Sequence, residues 1–183
     1  MLVSKSMAEH TLFERRSALV GMNAAWLRQA LRLLDEIDDE AYSGAGKVGG
    51  QFRHVVEFYE CFLNGLSSRH IDYDARRRDQ ALEENRRAAA TRIETLIDRL
   101  TMEPELRADG IVFVRVEDAA TFGMPEPYLT SSVGRELQAL SSHTIHHFAL
   151  IALTLRASGW AVDQDFGVSP STLRHRAQLT EAA

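Results

Sequence analysis

Apolar positions recur at helical spacing in four stretches of this chain. Between 11 and 38, Leu12, Leu19, Trp26, Leu33 and Ile37 follow at steps of seven and four and draw one stripe along a helix. Tyr42-Ser43-Gly44-Ala45-Gly46 interrupts that pattern with turn-forming residues. A second helix over 48–66 places His54, Phe58, Cys61, Phe62 and Gly65 on a common face. A third, over 75–100, carries Leu82, Ala89, Ile93, Leu96 and Leu100, with Asp74 as its cap and Glu83 paired to Arg87 on the surface. The fourth, over 131–158, turns Leu137, Leu140, Thr144, His147, Ile151 and Leu155 inward and stops at Gly159.

Between the third and fourth helices the pattern changes. Gly110-Ile111-Val112-Phe113-Val114-Arg115-Val116 is β-branched and aromatic, which predicts a short strand. Gly123, Pro125 and Pro127 exclude a helix there, so a two-stranded excursion is expected. Residues 160–183 form a tail, whose 163–170 portion reads as an ordered loop packed on the helices. One amphipathic helix cannot bury its own stripe, so the four stripes must face one another. The expected fold is an all-α four-helix bundle, one domain over 1–183, with a long crossover holding the β excursion.

Composition narrows the picture. A chain of 183 residues suits one core, and 45% apolar with 26% charged residues is ordinary for a soluble globular protein. No apolar run approaches the ~20 residues that cross a bilayer. The start, MLVSKSMAEH, lacks an apolar signal core. A single cysteine, Cys61, rules out an internal disulfide and fits a reducing compartment, so the expected location is cytoplasmic and away from membranes. A net charge of −5 argues against a nucleic-acid partner. Two lookalikes carry nothing: Gly44-Ala45-Gly46-Lys47 has Val48 where a phosphate loop needs Ser or Thr, and the basic run Arg76-Arg77-Arg78 is flanked by acids.

The chemistry lies in Ser142-His143-Thr144-Ile145-His146-His147-Phe148. His143 and His147 stand one turn apart on one helical face, close enough for both imidazoles to reach one ion at about 2.0–2.1 Å. His146 points away. A third ligand must come from another helix, and His54, beside Phe58 on an apolar face, offers one. Taken singly, the histidine pair also fits a surface pair, and His54 fits a satisfied core histidine. Together on inward faces they fit a shared metal, which removes the cost of burying three unpartnered imidazoles. Three protein ligands leave a position open, as catalytic sites do. Glu57, one turn after His54, is a weak candidate for a fourth ligand, a supporting acceptor or a general base, and reads more readily as a solvated or capping carboxylate. Glu136 either orients an imidazole or pairs with another helix. Asn23 either contacts the site or bonds to backbone. Cys61, two turns from His54, reads as a small core residue.

These features resemble the DinB/YfiT-like superfamily of small metal-binding bundles. The likeness rests on Gln51-Phe52-Arg53-His54 in the second helix and His143-Thr144-Ile145-His146-His147 in the fourth. Arg53-His54-Val55-Val56-Glu57-Phe58-Tyr59, Ile71-Asp72-Tyr73-Asp74-Ala75-Arg76 and Gly134-Arg135-Glu136-Leu137-Gln138 resemble one subgroup, and the likeness spans nearly the whole chain. It implies an up-down-down-up arrangement, a metal triad at His54, His143 and His147, and a homodimer. It also implies zinc, nickel or iron as the divalent metal. Relatives include transferases and isomerases that use low-molecular-weight thiols, so the implied activity is a hydrolase or thiol S-transferase acting on a small molecule. Two departures are visible. Ala149 stands where the ergothioneine-synthase type carries a carboxylate, and Ala149-Leu150 replaces a familiar Gly-Gln pair. The competing expectation is a non-catalytic bundle stapled by its metal and binding a partner or serving in a stress response.

Overall fold

Free amide N–H groups at a helix start call for a side-chain oxygen just ahead of them, and the boundaries follow those oxygens. The computed structural model describes residues 2–44, 47–103, 106–119, 121, 123–125 and 127–181, with backbone only at 2–13, 15 and 17. Asp38 accepts from the Ala41 amide at 2.8 Å and opens α2 (Asp39–Ser43), separate from α1 (Leu2–Glu36). α3 (Val48–Gly65) follows Lys47, whose φ of 55° lies in the left-handed region. Asp79 accepts from the Ala81 amide and opens α4 (Gln80–Glu84). Asn85 accepts from the Ala88 amide and opens α5 (Arg86–Met102). Ser132 accepts from the Arg135 amide and opens α6 (Val133–Ala157). α7 (Pro170–Glu181) starts on a proline, whose missing N–H costs nothing at a first helical position.

Several expected boundaries therefore change. The helix expected over 11–38 is α1 followed by a separate turn, because Asp38 caps a new start. The helix expected over 75–100 begins at Gln80, not after Asp74, and breaks at Asn85. Asp72 bonds the Asp74 amide and Glu57 the Asp79 amide, so the intervening backbone is held as a loop. The break separates Glu83 from Arg87, and Glu83 pairs instead with Arg53 at 3.0 Å. The stretch expected as an ordered loop over 163–170 is one up to Ser169, with Phe166 buried and stacked on Phe148 at 4.8 Å, and the tail beyond it forms α7. Ala45 and Gly46, and the side chain of Leu12, lie outside the described residues.

The β excursion is three-stranded rather than two-stranded. β2 (Ile111–Arg115) pairs antiparallel with β3 (Tyr128–Ser132), Phe113 opposite Thr130, and β1 (His70–Ile71) adds in parallel on the other edge of β2. β1 is contributed by the α3–α4 connection.

The molecule is thus mainly helical with a small three-stranded sheet. α1 packs against α5 and α6, and α3 packs against the same two, so the four long helices surround one core. Leu27, Leu34, Phe52, Ile93, Leu96, Leu137 and Phe148 fill it. Buried polar groups pair across it. The Tyr59 hydroxyl donates to Asn23 Oδ1 at 2.7 Å, Asn23 donates to the Leu137 carbonyl at 3.0 Å, and Trp26 Nε1 donates to Ser141 Oγ at 2.9 Å. These bonds tie α1, α3 and α6 together. No helix among the described residues is long and apolar enough to cross a membrane.

Candidate metal centre

α3 and α6 lie side by side, and their facing turns bring His54 against His143 and His147. His143 Nε2 lies 3.1 Å from His54 Nε2 and 3.1 Å from His147 Nε2. The ligand atoms of all three fall within 4.8 Å of one another, and all three residues are half-buried. Phe58, one turn after His54, forms a wall. Its ring stacks on His143 at 4.0 Å and lies 4.6 Å from His54. Tyr73 stacks on the same Phe58 at 5.1 Å. His146 is exposed, with its ring edge-on to His147.

Burial, first of all, holds the imidazoles neutral. It lowers His54 and His147 to about 4 and His143 to about 3, assisted by the neighbouring imidazoles and by the positive charge of Arg76. A neutral imidazole has one N–H and one lone pair. The Gln51 side-chain oxygen sits 2.6 Å from His147 Nδ1, so that nitrogen donates and the Nε2 lone pair points at His143. His143 Nδ1 is buried with no hydrogen-bond partner.

A 3.1 Å contact between ring nitrogens is either an N–H···N hydrogen bond, with the proton on one of the two, or a pair of lone pairs aimed at a shared cation. With nitrogen–metal bonds of about 2.05 Å, nitrogens at that spacing would subtend about 98° at an ion, between octahedral and tetrahedral values. The donor set therefore fits a metal held from one side by three imidazoles. One contact runs against it. Arg76 Nη1 lies 2.6 Å from His54 Nδ1, and a guanidinium can only donate. That bond places the His54 proton on Nε2, so ligation requires the proton on Nδ1 and Arg76 displaced.

The other candidates lie elsewhere. Glu57 is neither solvated nor among the converging ligand atoms: it is 1% exposed, accepts from the Asp79 amide at 2.7 Å and lies 3.7 Å from Arg53. Its carboxylate fastens the loop ahead of α4. Glu136 accepts from Tyr73 at 2.8 Å and Ser131 at 2.6 Å, so it fixes Tyr73 rather than an imidazole. Asn23 bonds to backbone and Tyr59, away from the triad. Cys61 is half-buried and its thiol is pushed up to about 11, chiefly by burial. Sequence reasoning missed Gln51 and Arg76 as neighbours of the histidines. Gln51 precedes His54 by one helical turn, a spacing that could have marked it. Arg76 carried no such signal, because the loop that brings it back is irregular.

No family model matches the sequence, and no solved structure matches it. The chain is similar to FK506-binding protein 5 of Rhizopus delemar, 34% identical over 106 residues that make up 57% of this chain. The match spans 27% of that protein's length.

Proposed function

We propose that this chain is a metal-dependent enzyme of the DinB/YfiT-like superfamily, with His54, His143 and His147 holding one divalent transition metal, either zinc, nickel or iron. The reaction class is hydrolysis or transfer to a low-molecular-weight thiol, on a small-molecule substrate. The up-down-down-up order of the four long helices and a homodimeric assembly belong to the same proposal. The observation that carries it is the convergence of three half-buried imidazoles from two helices, with their ligand nitrogens within 4.8 Å of one another. A bound divalent ion supplies Lewis acidity, which makes a water or thiol acidic enough to act as nucleophile near neutral pH. Gln51 holds the His147 proton at Nδ1 and keeps the Nε2 lone pair directed inward. Phe58 shields one flank of His143 and His54 from water.

The second reading is a metal that staples α3 to α6 without chemistry, favoured by the placement of ligands on two different helices. Elemental analysis of tag-free protein tests the site itself. One equivalent of metal is expected in the wild type and in His146→Ala, and little in a folded His147→Ala. Full occupancy in the last variant would refute the triad. Cobalt substitution then separates enzyme from staple. Added azide should change the visible absorption of an open site, and a closed shell would leave it unchanged.

A further inference from the structure

Several arginines around this end of the molecule are paired with carboxylates. Arg53 reaches Glu57 and Glu83, Arg92 reaches Glu60 and Asp79, and Arg115 bonds Asp72 at 2.7 Å. Arg76, in the loop between β1 and α4, has no carboxylate partner among the described residues. Its Nε is buried without any hydrogen bond, and its Nη1 meets only the Nδ1 edge of His54. The guanidinium carbon lies 4.9 Å from the centre of the Phe58 ring, which holds the group over the triad.

A half-buried guanidinium with an idle N–H is a poor resting state, because each buried donor without an acceptor forgoes a bond that water would have given. Loading the triad makes it worse. When His54 Nε2 gives its lone pair to an ion, the imidazole proton sits at Nδ1, and two N–H groups face one another across 2.6 Å. The guanidinium must then turn away from His54, and the carboxylates of Asp72, Asp79 and Glu57 already face other cations, Arg115, Arg92 and Arg53, although Glu57 Oε2 makes no hydrogen bond at its 3.7 Å distance from Arg53. An acceptor brought by the substrate would complete the site. A planar guanidinium matches a carboxylate in a two-bond fork. A doubly charged phosphate would call for a second cation at the triad; Arg53, the candidate on α3, is committed to two glutamates, and Arg77 and Arg78 are exposed to solvent.

We propose that Arg76 is the specificity determinant of this centre and that the small molecule reaching the three histidines carries a carboxylate which Arg76 grips. This rests on the reading of the triad as a metal centre. It selects, within thiols and hydrolysable substrates, those bearing a carboxylate near the atom that approaches the metal.

The test uses the cobalt-loaded full chain and two thiols of equal reach, 3-mercaptopropionate and its methyl ester. Each is titrated against the visible absorption of the cobalt. Wild-type protein should respond to the acid at a concentration roughly ten- to a hundredfold lower than to the ester, the range of a charge-assisted fork. Arg76→Gln should bring the two within about twofold by weakening the acid alone. Arg76→Lys, which keeps the charge without the fork, should fall between, and it carries the test if the glutamine variant does not load cobalt. Arg77→Gln, an exposed neighbour in the same loop, should keep the wild-type preference. Equal response to acid and ester in the wild type overturns the proposal, as does a preference that survives in both Arg76 variants, or cobalt that answers neither thiol. Protein that binds no cobalt overturns the metal centre as well, whereas stoichiometric cobalt without the preference overturns the Arg76 assignment alone.

Discussion

A buried imidazole that stays neutral gains nothing from acid until the surrounding protein gives way, and this fixes the sign of the pH response. In the unfolded chain a histidine takes a proton near ~6.5. In the folded chain burial holds His54 and His147 to about 4 and His143 to about 3. Between those limits the unfolded state binds more protons, so stability from these residues is fully present above pH 6.5 and is lost as pH falls toward 4. Urea midpoints of metal-free protein at pH 7.5, 6 and 5 should decline in that order, and His143→Gln should flatten the decline. An unchanged midpoint in the wild type would mean that the imidazoles are charged or solvated already. The three histidines were legible in the sequence because helical spacing alone aligns His143 with His147 and turns His54 inward. Arg76 was not. Its place depends on a loop pinned by the Glu57–Asp79 bond, between residues too far apart for any periodic pattern to link them.

The loop that carries Arg76 ends on α4, and α4 approaches α3 closely through glycine. A Cβ at Gly49 would fall 2.0 Å from the Glu83 carbonyl oxygen, which is backbone and cannot rotate aside. A Cβ at Gly50 would meet only the Glu83 side chain, at 3.5 Å. Alanine gains up to about 1 kcal/mol over glycine within a helix. At Gly50 that gain should survive, so Gly50→Ala should raise the unfolding midpoint. At Gly49 overpacking of roughly 1–3 kcal/mol or more should win, because α4 has to move off α3. Chemical denaturation of the two variants checks the contrast, and equal effects would refute the close approach. The apolar stripes of α5 and α6 were readable, whereas the face read on α3 from His54, Phe58 and Cys61 is half-buried and its core side is Phe52, Val55, Val56, Tyr59 and Phe62; the break at Asn85 was not readable, since Leu82 and Ala89 keep helical phase across it. β1 has two residues and exists only by pairing with β2, and α7 buries none of its side chains, so neither leaves a hydrophobic signature.

At the scale of the molecule, the question is whether the arrangement of helices depends on an ion. That four stripes face one core followed from their amphipathicity, whereas their neighbours did not, because α1 could have met any of the others. In the structure α1, α3 and α6 are joined by the bonds among Asn23, Tyr59 and the Leu137 carbonyl and by Trp26 to Ser141, all buried and independent of the triad. The core of apolar residues runs beyond the histidines along all four helices. Removing an ion should therefore leave the fold intact and withdraw only its binding energy. A ligand present at a hundred times its dissociation constant contributes about 2.7 kcal/mol. For a domain of this size each kcal/mol moves the melting temperature by about 2–4 °C, so chelation should lower it by roughly 5–11 °C. The near-ultraviolet circular dichroism, which reports packing around Trp26, Tyr59 and Phe148, should be kept. Loss of that signal at room temperature on chelation would show that the metal holds the bundle together, and would favour the staple over the enzyme.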